Sequence, residues 1–186
     1  AAKKEFARAP IENVSIKNIV EEADIARGSF YQYFEDKEDL LGCIAESWVD
    51  VILRKLTEAF RVSDGSYYES MKLWMSQALE NDISREVWKV YKRVMEEEDF
   101  TRKSKMGALQ FKASPKWRQV IEECYGHMDQ SRYPGLTPEK LAYAVDMGLL
   151  AMVQLSMRYV EQYAPLTELK EAAWHQLIIL DKGIRG

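Results

Sequence analysis

The sequence is poor in cysteine, histidine, proline and glycine, and it contains no long apolar run. Two cysteines, Cys43 and Cys124, stand far apart and outside any CxxC pair, and His127 and His175 have no partner at metal-ligand spacing. Such a chain offers no donor set for zinc or an iron–sulfur cluster, so neither metal nor cofactor is expected. Two buried, reduced thiols are the simpler expectation for the cysteines; redox sensing at Cys43 is the other reading. Apolar runs extend only a few residues, far short of the roughly 20 needed to cross a bilayer. No charged-then-apolar signal segment opens the chain, so a cytoplasmic protein that does not engage membranes is expected. Helical character is already present at Ala1-Ala2-Lys3-Lys4, which suggests that residues precede it.

Catalytic signatures are missing too. There is no P-loop, no GxGxxG after a strand, no HExxH, no GxSxG elbow and no paired nucleophile and base, so enzymatic activity is not expected. Nor is there a broad basic field: 26 Lys and Arg stand against 30 Asp and Glu, a net charge of −4. Residues 1–37 hold six basic and seven acidic side chains. Any nucleic-acid binding must therefore use locally placed charge.

What the sequence has in quantity is helix. Its five prolines and nine glycines fall mostly at joints: Pro10, Gly65, Pro115, Pro134-Gly135, Pro138 and Pro165. Strand-like alternation is absent, and 47% apolar with 30% charged residues suits a packed core under a solvated surface. An all-α protein is expected. Short helices are predicted up to Ala9, over Ile16–Ala23 and over Arg27–Phe34, then a long one from Lys37 to about Phe60. Further helices are predicted at 67–80, 83–98, 101–112, 115–130, 138–162 and 166–183.

The short helices carry the first functional signal. Ser15 is placed to cap the second helix, whose Ile16, Ile19, Val20 and Ala23 follow one buried face. Only Asp24-Ile25-Ala26 separates it from the third helix. So tight a joint makes two short helices cross steeply, as in a helix-turn-helix, with Ile25 as the expected plug. In the third helix Phe30 and Phe34 can anchor one face, leaving Arg27, Gly28, Ser29, Tyr31, Gln32 and Tyr33 at the edges or exposed. Gly28 costs about 1 kcal/mol relative to alanine inside a helix, a cost that makes sense where something must approach the backbone. A polar face over two core aromatics is the plainer reading. Asp36 can cap the next helix, and Lys37 sits at that helix's positive end, where a cation is unfavourable unless an anion lies close.

The stretch Ser15-Ile16-Lys17-Asn18-Ile19-Val20, continued by Ala23-Asp24-Ile25-Ala26-Arg27-Gly28-Ser29-Phe30-Tyr31-Gln32-Tyr33-Phe34-Glu35-Asp36-Lys37-Glu38-Asp39-Leu40, resembles the DNA-binding signature of the TetR family of transcription regulators. The G-S-F-Y-x-Y-F core and the D-K-E-x-L that follows are in register. Asp24 stands where the signature has a turn glycine, which is tolerable because Asp adopts left-handed backbone angles. Ala26 replaces the usual capping Ser or Thr. The resemblance implies a helix-turn-helix DNA-binding domain at 1–45 and a helical effector-binding and dimerisation domain at 46–186. It implies base or base-adjacent contacts from Lys17, Arg27, Ser29 and Gln32. Phosphate contacts are implied from Ser29, Tyr31, Tyr33 and Lys37, and close backbone approach at Gly28.

In the larger domain Leu141, Val145, Gly148, Met152, Leu155 and Tyr159 form a narrow seam; Leu169, Ala173, Leu177 and Leu180 repeat the spacing in the last helix. The seam fits either a hairpin buried within the chain or, as the resemblance implies, a homodimer interface. Trp74, Trp88, Tyr91, Met95, Phe111, Trp117, Tyr125 and Met147 are either ordinary core or the lining of the effector pocket that the resemblance implies. The implied function is a repressor that binds a palindromic operator on double-stranded DNA as a homodimer and is released by a small, hydrophobic effector. The alternative keeps the DNA-binding head and makes the C-terminal domain a dock for a protein partner.

Overall fold

A computed structural model describes residues 1–79, 88–90, 114–161 and 165–185. Its helices are α1 (Ala2–Arg8), α2 (Ile16–Glu22), α3 (Arg27–Phe30), α4 (Lys37–Val62), α5 (Tyr67–Leu79), α6 (Pro115–Gly126), α7 (Pro138–Val160) and α8 (Leu166–Arg185), with a 3-10 turn at Ile11–Asn13. No strand occurs among the described residues. The helices expected at 83–98 and 101–112 lie outside them, except for 88–90, which are helical. Two compact units form: Ala1–Asp50 with Asp82–Phe111, and Val51–Asn81 with Lys112–Gly186.

The first unit is organised by a core of Phe6, Ile11, Val14, Ile19, Val20, Phe30, Leu40, Leu41, Trp48 and Val90. Ser15 caps α2 by accepting from the Asn18 N–H at 3.3 Å. The far end of α2 closes as a Schellman motif. Ile25 N–H bonds the Val20 carbonyl, Asp24 N–H bonds the Glu21 carbonyl, and Asp24 takes a φ of 53°. These bonds satisfy carbonyls that a helix end leaves orphaned, and a side chain as short as Asp tolerates the left-handed angle.

Three expectations are corrected here. Ile25 is not a plug: it is 47% exposed, because the Schellman turn holds its backbone while its side chain lies outside. Ala23, expected on the buried face, is exposed as well. The third helix stops at Phe30 rather than Phe34. Ala26 provides no side-chain cap, and residues 31–33 continue as a turn with Gln32 N–H on the Ser29 carbonyl and Tyr33 N–H on Phe30.

In the second unit α6 and α7 each start with a hydroxyl cap followed by proline: Ser114-Pro115 and Thr137-Pro138. Proline suits this position because its missing N–H would be unpaired anyway. Helices α7 and α8 form a hairpin against which α5 packs. Leu141, Val145, Gly148, Met152 and Leu155 are buried, as are Leu169, Ala173 and Leu177, while Tyr159 and Leu180 are half-buried. The apolar seam is thus used inside the single chain. At Gly148 the approach is so close that a Cβ would overlap the Met71 terminal methyl and crowd the Tyr67 hydroxyl. A buried polar network closes the unit. Tyr133 donates to Asp181 and accepts from the Tyr67 N–H, and Arg185 Nε donates to Asp181 at 2.8 Å.

Candidate nucleic-acid interface

Helix α3 and the turn after it present a polar, aromatic surface because one side of this short segment is pinned to the core. Phe30 is 2% exposed and Phe34 packs on the same cluster; their rings lie 5.4 Å apart. With those two held inward, Arg27, Gly28, Tyr31, Gln32 and Tyr33 are exposed and Ser29 is half-buried. Tyr33 is 78% exposed and Tyr31 49%, large values for aromatic side chains.

Gly28 has no internal explanation. A Cβ built there would meet nothing within 4 Å, and its backbone is not among the positive-φ residues. The chain therefore bears a helix-weakening residue where its own packing would accept alanine.

Several of the described cations have partners within this unit. Lys17 pairs with Glu21 at 3.7 Å, and Lys4 with Glu22 at 3.1 Å. The Lys4 hydrogen bond holds the Glu22 carboxyl below its ordinary range. Lys37 is half-buried and donates to the Glu12 carbonyl at 2.6 Å. Helix α4 opens with a reciprocal pair of caps: Asp36 accepts from the Asp39 N–H at 2.8 Å, and Asp39 accepts from the Glu35 N–H at 3.1 Å. Arg27 lies beside Tyr31, with Nη2 3.5 Å from the phenol oxygen.

Of the residues expected around an effector pocket, Trp74, Trp88, Trp117, Tyr125 and Met147 lie among the described residues. Trp74 is buried with its indole N–H on the Ile52 carbonyl at 3.2 Å, Trp117 is buried, and Tyr125 donates to the Leu136 carbonyl at 3.2 Å. Trp88 belongs to the first unit. Tyr91, Met95 and Phe111 lie outside the described residues. Met147 is 53% exposed, so it is no part of an interior lining. It borders a concavity of about 460 Å³ on the outer side of α7 and α8 with Leu150, Ala151, Gln154, Gln176, Ile179 and Leu180. Tyr143, Leu150, Ile178 and Ile179 extend this apolar surface, at 38–75% exposure. Sequence reasoning missed that stripe, although Tyr143, Met147, Leu150 and Gln154 repeat the seam's spacing two positions on.

Residues 1–43 match the family described as bacterial regulatory proteins, tetR family. Over that stretch the chain is similar to the TetR family. Over 59 residues it is 39% identical to the uncharacterized HTH-type transcriptional regulator YfiR of Bacillus subtilis (strain 168); the match takes in 32% of this chain and 29% of that relative's length. It also resembles the crystal structure of a TetR family transcriptional regulator from Chloroflexus aurantiacus J-10-FL. There the TM-score is 0.50 at 18% identity, covering 98% of this chain and 88% of the other. That likeness speaks for the fold, an all-helical TetR architecture with an N-terminal helix-turn-helix. In these terms α2 and α3 are the two helices of that motif.

Proposed function

We propose that this chain is a cytoplasmic DNA-binding transcription regulator, acting as a repressor on a palindromic operator and released by a small hydrophobic effector. Gly28 belongs to the exposed polar face of α3 that carries the DNA-binding reading, and like Gly42, Gly126 and Gly183 it has open space where a Cβ would stand. In this reading α3 is the recognition helix, and a bare backbone at Gly28 lets a partner outside the chain come close. Around it, Arg27, Ser29 and Gln32 offer hydrogen-bonding groups suited to base edges in the major groove. Ser29, Tyr31, Tyr33 and Lys37 offer donors to phosphates, which fix register without reading sequence.

A single short helix reads few base pairs, so two copies are needed, with recognition helices about 34–36 Å apart on a two-fold symmetric site. The exposed face of Tyr143, Met147, Leu150 and Ile179 supports α7 and α8 as the surface a second copy covers; contiguous apolar surface of this kind marks interaction sites. The buried seam residues shape that face from beneath. The effector rests on the family resemblance, with Trp74, Trp117 and Tyr125 as the described apolar candidates around it. An effector acts by preferring one of two dimer forms, and it shifts the balance only as far as that preference allows.

Selection from a pool of random duplexes tests the reading. Enrichment of a palindrome, bound by two chains and lost steeply as salt rises, is expected. No enrichment by a folded protein at low salt would contradict it.

A further inference from the structure

Arg27 is the long cation at the start of α3, and an unsupported guanidinium on a solvent face samples many rotamers. Here it is not unsupported. Its Cζ lies 5.9 Å from the centroid of the Tyr31 ring and its Nη2 is 3.5 Å from the Tyr31 hydroxyl. Tyr31 in turn packs edge-on against Phe30, with centroids 5.2 Å apart and planes at 80°, and Phe30 is 2% exposed. A chain of contacts thus runs from the core through Phe30 and Tyr31 to the guanidinium. Aromatic faces attract guanidinium groups, and the spacing of four residues brings the two side chains onto one side of a helical turn.

We propose that Tyr31 is a positioning residue for DNA reading: it holds Arg27 in a restricted orientation, so that base discrimination by Arg27 depends on the Tyr31 ring. This rests on the DNA-binding reading and adds to it, because a tyrosine that only touched phosphate would leave discrimination alone. Phosphate contacts weaken or strengthen all sequences alike, whereas a base contact changes the ratio between sequences.

The test compares wild type, Arg27→Ala, Tyr31→Ala, Tyr31→Phe and the Arg27→Ala/Tyr31→Ala double variant. Each is titrated against the duplex enriched by wild type and against single base-pair changes in it. A bidentate arginine contact discriminates by roughly 5- to 150-fold. Tyr31→Ala is expected to erase most of that ratio at the base pair that Arg27→Ala relaxes, and to change nothing further there in the double variant. Tyr31→Phe keeps the ring and is expected to keep most of the ratio. If Tyr31→Ala weakens every duplex by one factor with the ratio intact, the proposal is overturned.

A DNA-free readout separates this from failure of the DNA-binding reading itself. In the unbound protein, 15N relaxation at Arg27 Nε should show restricted motion in wild type and Tyr31→Phe, and free motion in Tyr31→Ala. Equal mobility in all three overturns the proposal whatever duplex is used, while absence of any enriched duplex from wild type overturns the DNA-binding reading.

Discussion

Lys37 Nζ donates a 2.6 Å hydrogen bond to the carbonyl of Glu12, 25 residues earlier. This bond ties the first turn of α4 to the 3-10 turn that leads into α2. An ammonium carries further N–H donors, so the same group can serve a phosphate while holding the turn. Lys37→Met is expected to lower stability by about 1 kcal/mol, the net contribution of a typical intramolecular hydrogen bond. Lys17→Met, which removes only an exposed i,i+4 pair, should change it by no more than about 0.5 kcal/mol. Urea denaturation of the two variants side by side checks the contrast; equal losses would refute it.

The features legible in the sequence are the local ones. Ser15 and Asp36 cap helices through bonds spanning three residues, and Asp24 turns the chain through its own backbone angle, so each was readable from a few neighbours. Exposure was harder to read. Ile25 and Ala23 look apolar enough for a core, yet whether they meet one depends on the direction of a turn that spacing does not encode. The Lys37–Glu12 bond joins distant segments and left no local trace. On α7 two apolar stripes with one spacing share a helix. Periodicity cannot say which of them the chain's own α5 and α8 will cover.

Those two stripes give a second prediction. Leu150→Glu combined with Ile179→Glu changes only exposed positions, so the helical fold should persist. Self-association should weaken by roughly 100-fold or more, because unpaired charges would be buried in the interface. Sedimentation velocity and circular dichroism read the two effects separately. A double variant that still sediments as a dimer would place the contact elsewhere.

The thiols differ in the same way. Cys43 is exposed, contrary to the expectation of two buried thiols, and Cys124 is buried. Burial pushes the Cys124 thiol up to about 12, with Glu123 adding in the same direction. A colorimetric disulfide reagent at neutral pH should label one thiol per native chain, the second only on unfolding.

The raised Cys124 value also sets a pH dependence. In the unfolded chain that thiol ionises near 9.0, while the folded chain keeps it neutral, so its contribution is complete below about pH 9 and declines as pH rises towards 12. Tyr67 and Tyr133 are likewise raised, burial being the first cause in both, and steepen the alkaline loss. Cys124→Ala should flatten the pH–stability curve above pH 9, whatever it costs at neutral pH; an unchanged slope would contradict the assignment.

Gly28→Ala tests most directly whether α3 is shaped for an external partner at some expense to its own stability. Chemical denaturation and duplex binding would be measured on the same preparation. Stability is expected to be unchanged or raised by up to about 1 kcal/mol, the helix propensity gained, together with clearly weaker binding to the selected palindrome. A variant that loses stability but binds that DNA as wild type does would contradict it, and would return Gly28 to the service of the fold.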